Sequence, residues 1–597
     1  VPNGHDDEVE QLVDAAGLVA ALRVLGVERG SPVAIAIGDT VVGLSAAGSP
    51  LACPDVTALA AADAELHPRW VCWDQQSAAA LVTAGVRVAT CWDVAAVHRL
   101  LAGGWQADAA LVWAWLHDLR SADIPVPGQL DLLGGGAADG GADGGAGSGD
   151  EGPVRPDGHL RAEWVGGGWR TSPASAAAWA GVLAQAHELQ AERLAAVSAG
   201  GDPMSTARSE SAAELLCAEL AADGLPVDVP LAEQIVAAVI GARPRSEGEA
   251  EQRRRERDAT VLAVAPPGGT LDLRSPADVK AMLQRAGIAV DDTRAWRLEA
   301  LRDSHPVVDA LLRWRKAERM ATTYGYGWLD QHVGPDGRLR GAWTGCDGAA
   351  GRMTAQAGLH SLPADMRPAV RAEPGHLFVR SDLGQIEPRV LAVVSGDRGL
   401  LQATADDDLY SPVAARLGVE RPKAKIAVLA AMYGQTSGAA GEALRGMERA
   451  YPTAIRFLRD AEEAGRSGRD IRTYGGRLVR MWETRAETDD RADEQALRSA
   501  LAGRGRFARN AVVQGAAAEL FKAWAATVRA RTAPMGARIV LCLHDELLVH
   551  VPEEHATAVA EAMDACLAEA SWRWSAGSPA RFVSDTSIVR SWADSKP

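Results

Sequence analysis

The sequence predicts a multidomain protein of mixed α/β and α+β class. Three observations carry that expectation. At 597 residues the chain is several times the size of one domain, so three or four are expected. Hydrophobic residues make up 47% of it, enough for several cores. Short apolar runs alternate with helical periodicity near both ends, while residues 211–324 read almost entirely as helix.

In chain order, the first residues are acidic (His5, Asp6, Asp7, Glu8) and no secretory leader is expected. "PVAIAIGDTVVGLS" reads as two strands around the turn Gly38-Asp39-Thr40. "RWVCWD" is a further strand, followed by a helix and "VRVATCWD". Residues 1–115 therefore form a small α/β domain. The run Gly134–Gly152, almost all Gly, Ala and Asp, is a flexible linker or loop. "SPASAAAWAGVLAQAHELQAERLAAV" is one helix, with Ser172 or Ser175 as its N-cap. "SAAELLCAELAADG" and "HPVVDALLRWRKAERMATTYG" are the strongest pieces of the helical stretch. The arginine run Arg253–Arg257 reads as a solvated helix face. From Gly337 onward, strands again alternate with helices.

Several classes are excluded. No apolar stretch is long enough to span a bilayer. Seven scattered cysteines without a CxxC indicate neither a zinc site nor a disulfide framework, and suit a reducing cytoplasm. The net charge of -16 argues at first against nucleic acid. Residues 1–200, however, hold 10 Lys+Arg against 24 Asp+Glu, so the remainder is near neutral. A near-neutral body can carry a positive groove.

Two apolar segments place acids at strand ends. "HLFVRSD" ends on Asp382, and "ARIVLCLHDELLVHV" has His544-Asp545-Glu546 at the turn between two strands. Carboxylates set into apolar strand ends are costly unless they pair or bind a cation. They are also the oxygen ligands that Mg²⁺ prefers, and two such ions ~3.5–4 Å apart drive phosphoryl transfer. An ordinary hairpin-turn role for Asp545 remains open at this point. In "ERPKAKIAVLAAMYGQ", Arg421, Lys425, Leu429 and Tyr433 are spaced by four and share one helix face. Cations first and a ring last suit a nucleoside triphosphate, with Arg421 and Lys425 at the phosphates and Tyr433 at the base end. A plain solvated face is the alternative.

Taken together, "DLGQIEPR" from Asp382, the Arg421–Gly434 stripe and "HDE" from His544 resemble motifs A, B and C of family A DNA polymerases, in order and separation. "GRMTAQAGLHSLP" resembles the family's Thr-Gly-Arg segment. "RFARNAVVQGAAAELFK" resembles its minor-groove helix, and "TYGGR" and the helix after His305 resemble parts of the fingers and thumb. The resemblance covers residues 205–597. It implies a right-hand polymerase (palm, fingers and thumb): thumb and base of palm at 205–335, palm with motif A at 336–400, fingers with motif B at 401–500, and palm with motif C plus the C-terminal segment at 501–597. It implies template-directed addition of deoxynucleotides to a primer 3′-OH, in repair or gap filling. Two Mg²⁺ are the implied cofactors, with Mn²⁺ as alternative. Primer–template DNA and dNTPs are the partners, for a cytoplasmic monomer without membrane attachment.

The same resemblance assigns residues. Asp382 and Asp545 hold metals, with the Leu383 carbonyl and Glu546 as further ligands. Arg421 and Lys425 bind the triphosphate, while Gln385, Glu387, Leu429 and Tyr433 complete the nucleotide site. Glu387 acts there as a steric gate against a ribose 2′-OH and hydrogen-bonds Tyr433. Arg352, Arg506, Asn510, Gln514 and His544 contact DNA, although a satisfied turn role for His544 is as reasonable. Arg389 makes structural ion pairs. The chain departs from the family at Leu383, Gly384, Leu429 and Tyr410, where Tyr, Ser, an aromatic and His are usual. A catalytically weak DNA-binding scaffold is therefore a second reading. A single-subunit RNA polymerase is a third, opposed by Glu387.

Residues 1–132 faintly resemble the proofreading domain of such enzymes, which has a ribonuclease H-like fold, followed by a linker at 133–158 and a connecting helix at 159–204. Proofreading needs four acids around two metals. Asp74 matches one of them. The first strand carries no acid, Asp63-Ala64-Glu65 lies off that strand, no tyrosine occurs before Tyr324, and Glu192 follows His187 where an Asp is wanted. The expectation is a degenerate, non-functional exonuclease domain.

Overall fold

The computed structural model describes residues 12–126, 152–268, 271–434, 439–488, 494–543 and 545–595. The acidic start, most of the expected linker and His544 lie outside the described residues. The chain divides into two compact units. The first comprises Val1–Asp223, Ala342–Thr354 and Val379–Ile588, and the second Gly224–Gly341, Ala355–Phe378 and Val589–Pro597. Helix Pro203–Asp223, whose residues from 205 were expected to open the thumb, belongs to the first unit.

The first unit opens with a five-stranded sheet. Its order is Ser49–Cys53, Val42–Ala46, Pro32–Ile37, Arg69–Cys72, Thr90–Asp93. The first three strands are antiparallel and the last three parallel. Period-2 alternation explains the burial. Val33 and Ile35 enter one core with Leu18, Leu22 and Leu81, while Ala34 and Ala36 enter another with Trp92, Val97 and Trp113. Trp70 and Val71 divide in the same way. Sequence reading missed the strand Ser49–Cys53. It is short, carries Pro50 and sits at the sheet edge, the place where a strand tolerates proline. Helix Pro173–Ala195 is capped by Ser172, which accepts from the Ser175 amide at 3.3 Å, and Pro173 opens its first turn. Its backbone lies so close to strand Val42–Ala46 that a Cβ on Gly43 would come within 2.0 Å of the Ala176 carbonyl carbon. Only glycine fits there.

A second sheet, whose residues from Val379 to Ile588 belong to the first unit, has the order Arg538–Leu543, Glu546–Pro552, His376–Leu383, Ser584–Val589. The hairpin pairs Leu543 with Glu546 and Cys542 with Leu547, a tight register that puts Asp545 at its tip. The 39-residue helix Glu494–Thr532 packs on helices Pro203–Asp223, Pro452–Arg466 and Ala556–Trp574. Its buried Lys522 donates to Glu210 Oε2 at 2.7 Å, and Arg477 of "TYGGR" pairs with the same carboxylate. Buried charges are thus neutralised in place.

The second unit has its own core of Val261, Val279, Leu283, Val307, Leu311 and Trp314, drawn from helices Glu247–Leu262, Pro276–Arg285 and Pro306–Thr323. In the arginine run, Arg254 and Arg255 are exposed, while Arg253 pairs with Glu249 and Arg257 with Glu318. That is a solvated helix face.

Candidate active site

Strand His376–Leu383 lies beside Glu546–Pro552, so its C-terminal end meets the hairpin tip. The Leu383 amide donates to the Asp545 carbonyl at 2.8 Å. Asp382 and Asp545, about 160 residues apart in sequence, are therefore neighbours. Burial first, and then the charge of Asp382, push the Asp545 carboxyl up to about 6. Glu546 and Glu387 push in the same direction.

A cation that the sequence reading did not assign to the site sits behind these acids. Arg380 is 1% exposed. Its Nη2 donates to Asp382 Oδ2 at 2.7 Å and to Glu546 Oε2 at 3.1 Å, and its Nη1 lies 3.5 Å from Asp585 Oδ2. Glu546 is itself buried, its carboxylate held by this guanidinium. The available signal was "VRSD", a charge inside an apolar strand two residues before the acid and hence on the same face.

Helix Arg421–Tyr433 presents the expected stripe. Arg421 and Lys425 are exposed and Leu429 and Tyr433 half-buried, while Ala424, Ala427, Val428 and Ala431 face the core. Leu429, Arg352, Gln385, Glu387, Tyr410, Gln514 and Asp545 line one pocket. The two cations stand outside that lining. Arg421 makes a bidentate pair with Asp408, Nε to Oδ2 at 2.7 Å and Nη2 to Oδ1 at 2.9 Å, which holds the Asp408 carboxyl down to about 2. Because Arg421 is 53% exposed, that pair is weak in water and a phosphate can displace it.

Glu387 is clamped between two partners. Arg352 Nη2 donates to its Oε1 at 2.8 Å and the Tyr433 hydroxyl donates to its Oε2 at 2.8 Å. Burial and then the Glu387 charge push the Tyr433 hydroxyl up to about 12, so it stays a donor. Gln514 also hydrogen-bonds Tyr433. Gln385 serves the loop that follows: in left-handed backbone at φ 53, it donates to Asp408 Oδ1 at 3.0 Å and accepts from the Leu409 amide at 2.8 Å. Its side chain thereby steadies Asp408, the partner of Arg421.

On the long helix, Arg506 is exposed and Asn510 and Gln514 are half-buried, one turn apart, with buried residues between them. Asn510 Oδ1 is shielded from water and has no hydrogen-bond partner among the described residues. An unsatisfied buried acceptor of this kind is costly unless a ligand supplies a donor. Arg389 differs from expectation. It is structural, yet its guanidinium donates to five carbonyls, of Gly384, Thr404, Arg581, Asp406 and Asp407, rather than to a carboxylate.

The model of DNA polymerase family A matches residues 245–593, more than half of the chain. The chain belongs to DNA polymerase family A. Among its relatives, the thermostable DNA polymerase I of Thermus aquaticus is 31% identical over 296 residues, which is 45% of this chain and 34% of that one. DNA polymerase I of Chloroflexus aurantiacus is 31% identical over 289 residues, 43% of this chain and 29% of that one. DNA polymerase theta of Caenorhabditis elegans is 26% identical over 318 residues, 50% and 19% of the two chains. The chain thus spans about a third or less of the length of these relatives. In fold it resembles the polymerase domain of Pol1 from M. smegmatis, solved with DNA primer–template and dNTP. The TM-score is 0.66 and the identity 20%, over 98% of this chain and 99% of that one.

For this family A member the donor set suits a divalent cation. Asp382 and Asp545 offer hard oxygens, and a cation between them would relieve the repulsion that lifts the Asp545 carboxyl. The Leu383 side chain carries no donor atom, so only its backbone oxygen can serve as a ligand. The three N-terminal acids weighed for proofreading, Asp63, Glu65 and Asp74, by contrast, make structural contacts. Asp74 caps helix Gln75–Thr83. Asp63 accepts from the Trp70 indole at 2.9 Å and from the Ala89 amide, and Glu65 pairs with Arg23. Among the described residues no helix is long and apolar enough to cross a membrane.

Proposed function

We propose that the chain is a template-directed DNA polymerase that adds deoxynucleotides to a primer 3′-OH by two-metal phosphoryl transfer, in repair or gap filling. The observation that carries this reading is Asp382 beside Asp545, the latter in the wall of a pocket that Glu387, Leu429 and Gln514 also line. Two Mg²⁺, with Mn²⁺ as alternative, held by Asp382, Asp545 and the Leu383 carbonyl would activate the attacking hydroxyl and stabilise the leaving oxygen.

The chain's own residues do the rest. Arg421 exchanges Asp408 for phosphate, and with Lys425 it offsets the charge of the departing pyrophosphate. Glu387, fixed by Arg352 and Tyr433, crowds the position of a ribose 2′-OH. Arg506, Asn510 and Gln514 face the minor groove, where acceptors shared among correct base pairs suit a copying enzyme. To such acceptors Asn510 would donate its Nδ2, while its unsatisfied Oδ1 calls for a separate donor. Arg380 and Glu546 set the position of Asp382.

In this reading, residues 336–400 and 501–597 form the palm, 401–500 the fingers and 205–335 the thumb and base of the palm. The N-terminal sheet is a ribonuclease H-like exonuclease domain without activity, supported by the structural use of Asp63 and Asp74. Primer–template DNA and dNTPs are the partners, the same ligands with which the M. smegmatis polymerase domain was solved. A cytoplasmic monomer is proposed, consistent with seven unpaired cysteines. Primer extension with dNTPs and NTPs side by side tests the reading. Extension with dNTPs only, abolished by Asp382→Ala, supports it, and absence of extension with either Mg²⁺ or Mn²⁺ overturns it.

A further inference from the structure

A second cavity, of about 520 Å³, lies within the first unit and shares no lining residue with the Asp545 pocket. Its walls come from strands Arg69–Cys72 and Thr90–Asp93, helix Pro203–Asp223, the long helix and helix Ala556–Trp574. Six arginines line it (Arg29, Arg69, Arg208, Arg529, Arg531 and Arg573) against two acids, Asp202 and Glu569.

The arginines are not equally neutralised. Arg529 pairs with Glu219 at 2.7 Å, and Arg531 and Arg573 share Glu569 at 3.0 and 2.8 Å. Asp202 accepts from the Met204 amide at 3.0 Å. Arg29, Arg69 and Arg208 have no carboxylate partner among the described residues. Arg69 is half-buried and its Nη1 donates to the Cys91 carbonyl at 3.2 Å. Burial, and then the charge of Arg208, lower its pKa. Nearby His187 is pushed down to about 4 by burial and then by the same two cations. Two like charges in a half-enclosed cavity, neither of them paired with an acid, are unfavourable, and an anion would reverse that. The placement is also uneven in charge, since Arg29 and Arg69 are two of only ten basic residues in the first 200.

Guanidinium forks match phosphate oxygens, and Ser205 adds a hydroxyl to the lining, whereas the Thr90 and Thr527 hydroxyls donate to the Pro68 and Ala523 carbonyls. The volume is of small-ligand size and cannot hold a duplex. We propose that this cavity binds a multiply charged phosphate anion, either pyrophosphate or the polyphosphate tail of a nucleotide, through Arg29, Arg69 and Arg208.

The test is isothermal titration calorimetry on the full chain in EDTA, with pyrophosphate and dATP as separate titrants. An Arg421→Ala/Lys425→Ala background removes the cationic stripe of the active site. Binding of at least one titrant should persist in that background and weaken at least about tenfold on adding Arg69→Ala/Arg208→Ala. Arg208 is exposed, so Arg208→Glu alone serves as a variant that keeps the fold and should weaken binding too. Binding by dATP but not pyrophosphate identifies the nucleotide as the source, and the reverse identifies the free anion. Loss of all binding in the Arg421/Lys425 background, or unchanged affinity in the Arg69/Arg208 and Arg208→Glu variants, overturns the proposal.

Discussion

Asp545→Asn removes a carboxyl that the fold resists charging. Its pKa stands at about 6 against an ordinary 3.8, with burial and the Asp382 charge as the causes. A shift of about two units corresponds to ~3 kcal/mol, and partial solvent access reduces that to about 1–2 kcal/mol. The pKa is raised in the folded state. The stabilising contribution of the protonated group is therefore complete below pH 3.8 and lost as pH rises through about 6. In EDTA, Asp545→Asn should thus be more stable than the wild type by about 1–2 kcal/mol at pH 8, with the difference vanishing near pH 4. Mg²⁺ should stabilise the wild type, by binding the folded state, and leave the variant nearly unchanged. Urea denaturation at three pH values, with EDTA or Mg²⁺, measures this. Parallel pH profiles for the two proteins, or a variant less stable than the wild type at pH 8 in EDTA, would refute the reasoning.

Other outcomes follow from the same geometry. Arg380→Ala leaves the buried Glu546 and the half-buried Asp382 without their cation and should cost about 3 kcal/mol in EDTA, with part of the loss restored by Mg²⁺; denaturation curves read both effects. If Glu387, held by Arg352 and Tyr433, is the proposed gate, Glu387→Ala should raise ribonucleotide incorporation at least about tenfold relative to deoxynucleotides, as measured by single-turnover extension. Leu429→Phe restores a flat ring to the pocket wall and should alter the ratio of dideoxy to ordinary nucleotide incorporation in steady state; identical ratios in both proteins would contradict a sugar-facing role.

Much of the site was legible because periodicity reports which side chains share a face. Spacing by four put Arg421, Lys425, Leu429 and Tyr433 on one stripe, and the fold leaves that stripe out of the core. Arg506, Asn510 and Gln514 came instead from the resemblance to the family's minor-groove helix, and the fold leaves them too outside the fully buried set. Apolar flanks around Asp382 and Asp545 announced strands of one sheet. What periodicity cannot report is the element that lies opposite. Arg380 gains its meaning only when Glu546 arrives from a strand far away in sequence. The Arg421–Asp408 pair, the turn of Gln385 towards residue 409 and the carbonyl cage of Arg389 likewise depend on loop paths that no local pattern encodes. The unit boundary at Gly224 was missed for a related reason. Helix Pro203–Asp223 reads like its helical successors, but its buried Glu210 and Glu219 are matched by Lys522 and Arg529 of the long helix.

The most direct test of the central claim is a Mn²⁺ titration followed by electron paramagnetic resonance, in the presence of primer–template and a non-hydrolysable dNTP. The account predicts two tightly held ions in the wild type and loss of at least one in each of Asp382→Ala and Asp545→Asn. Wild-type stoichiometry and affinity in both variants would show that these two carboxylates, although neighbours, do not form the cation grip.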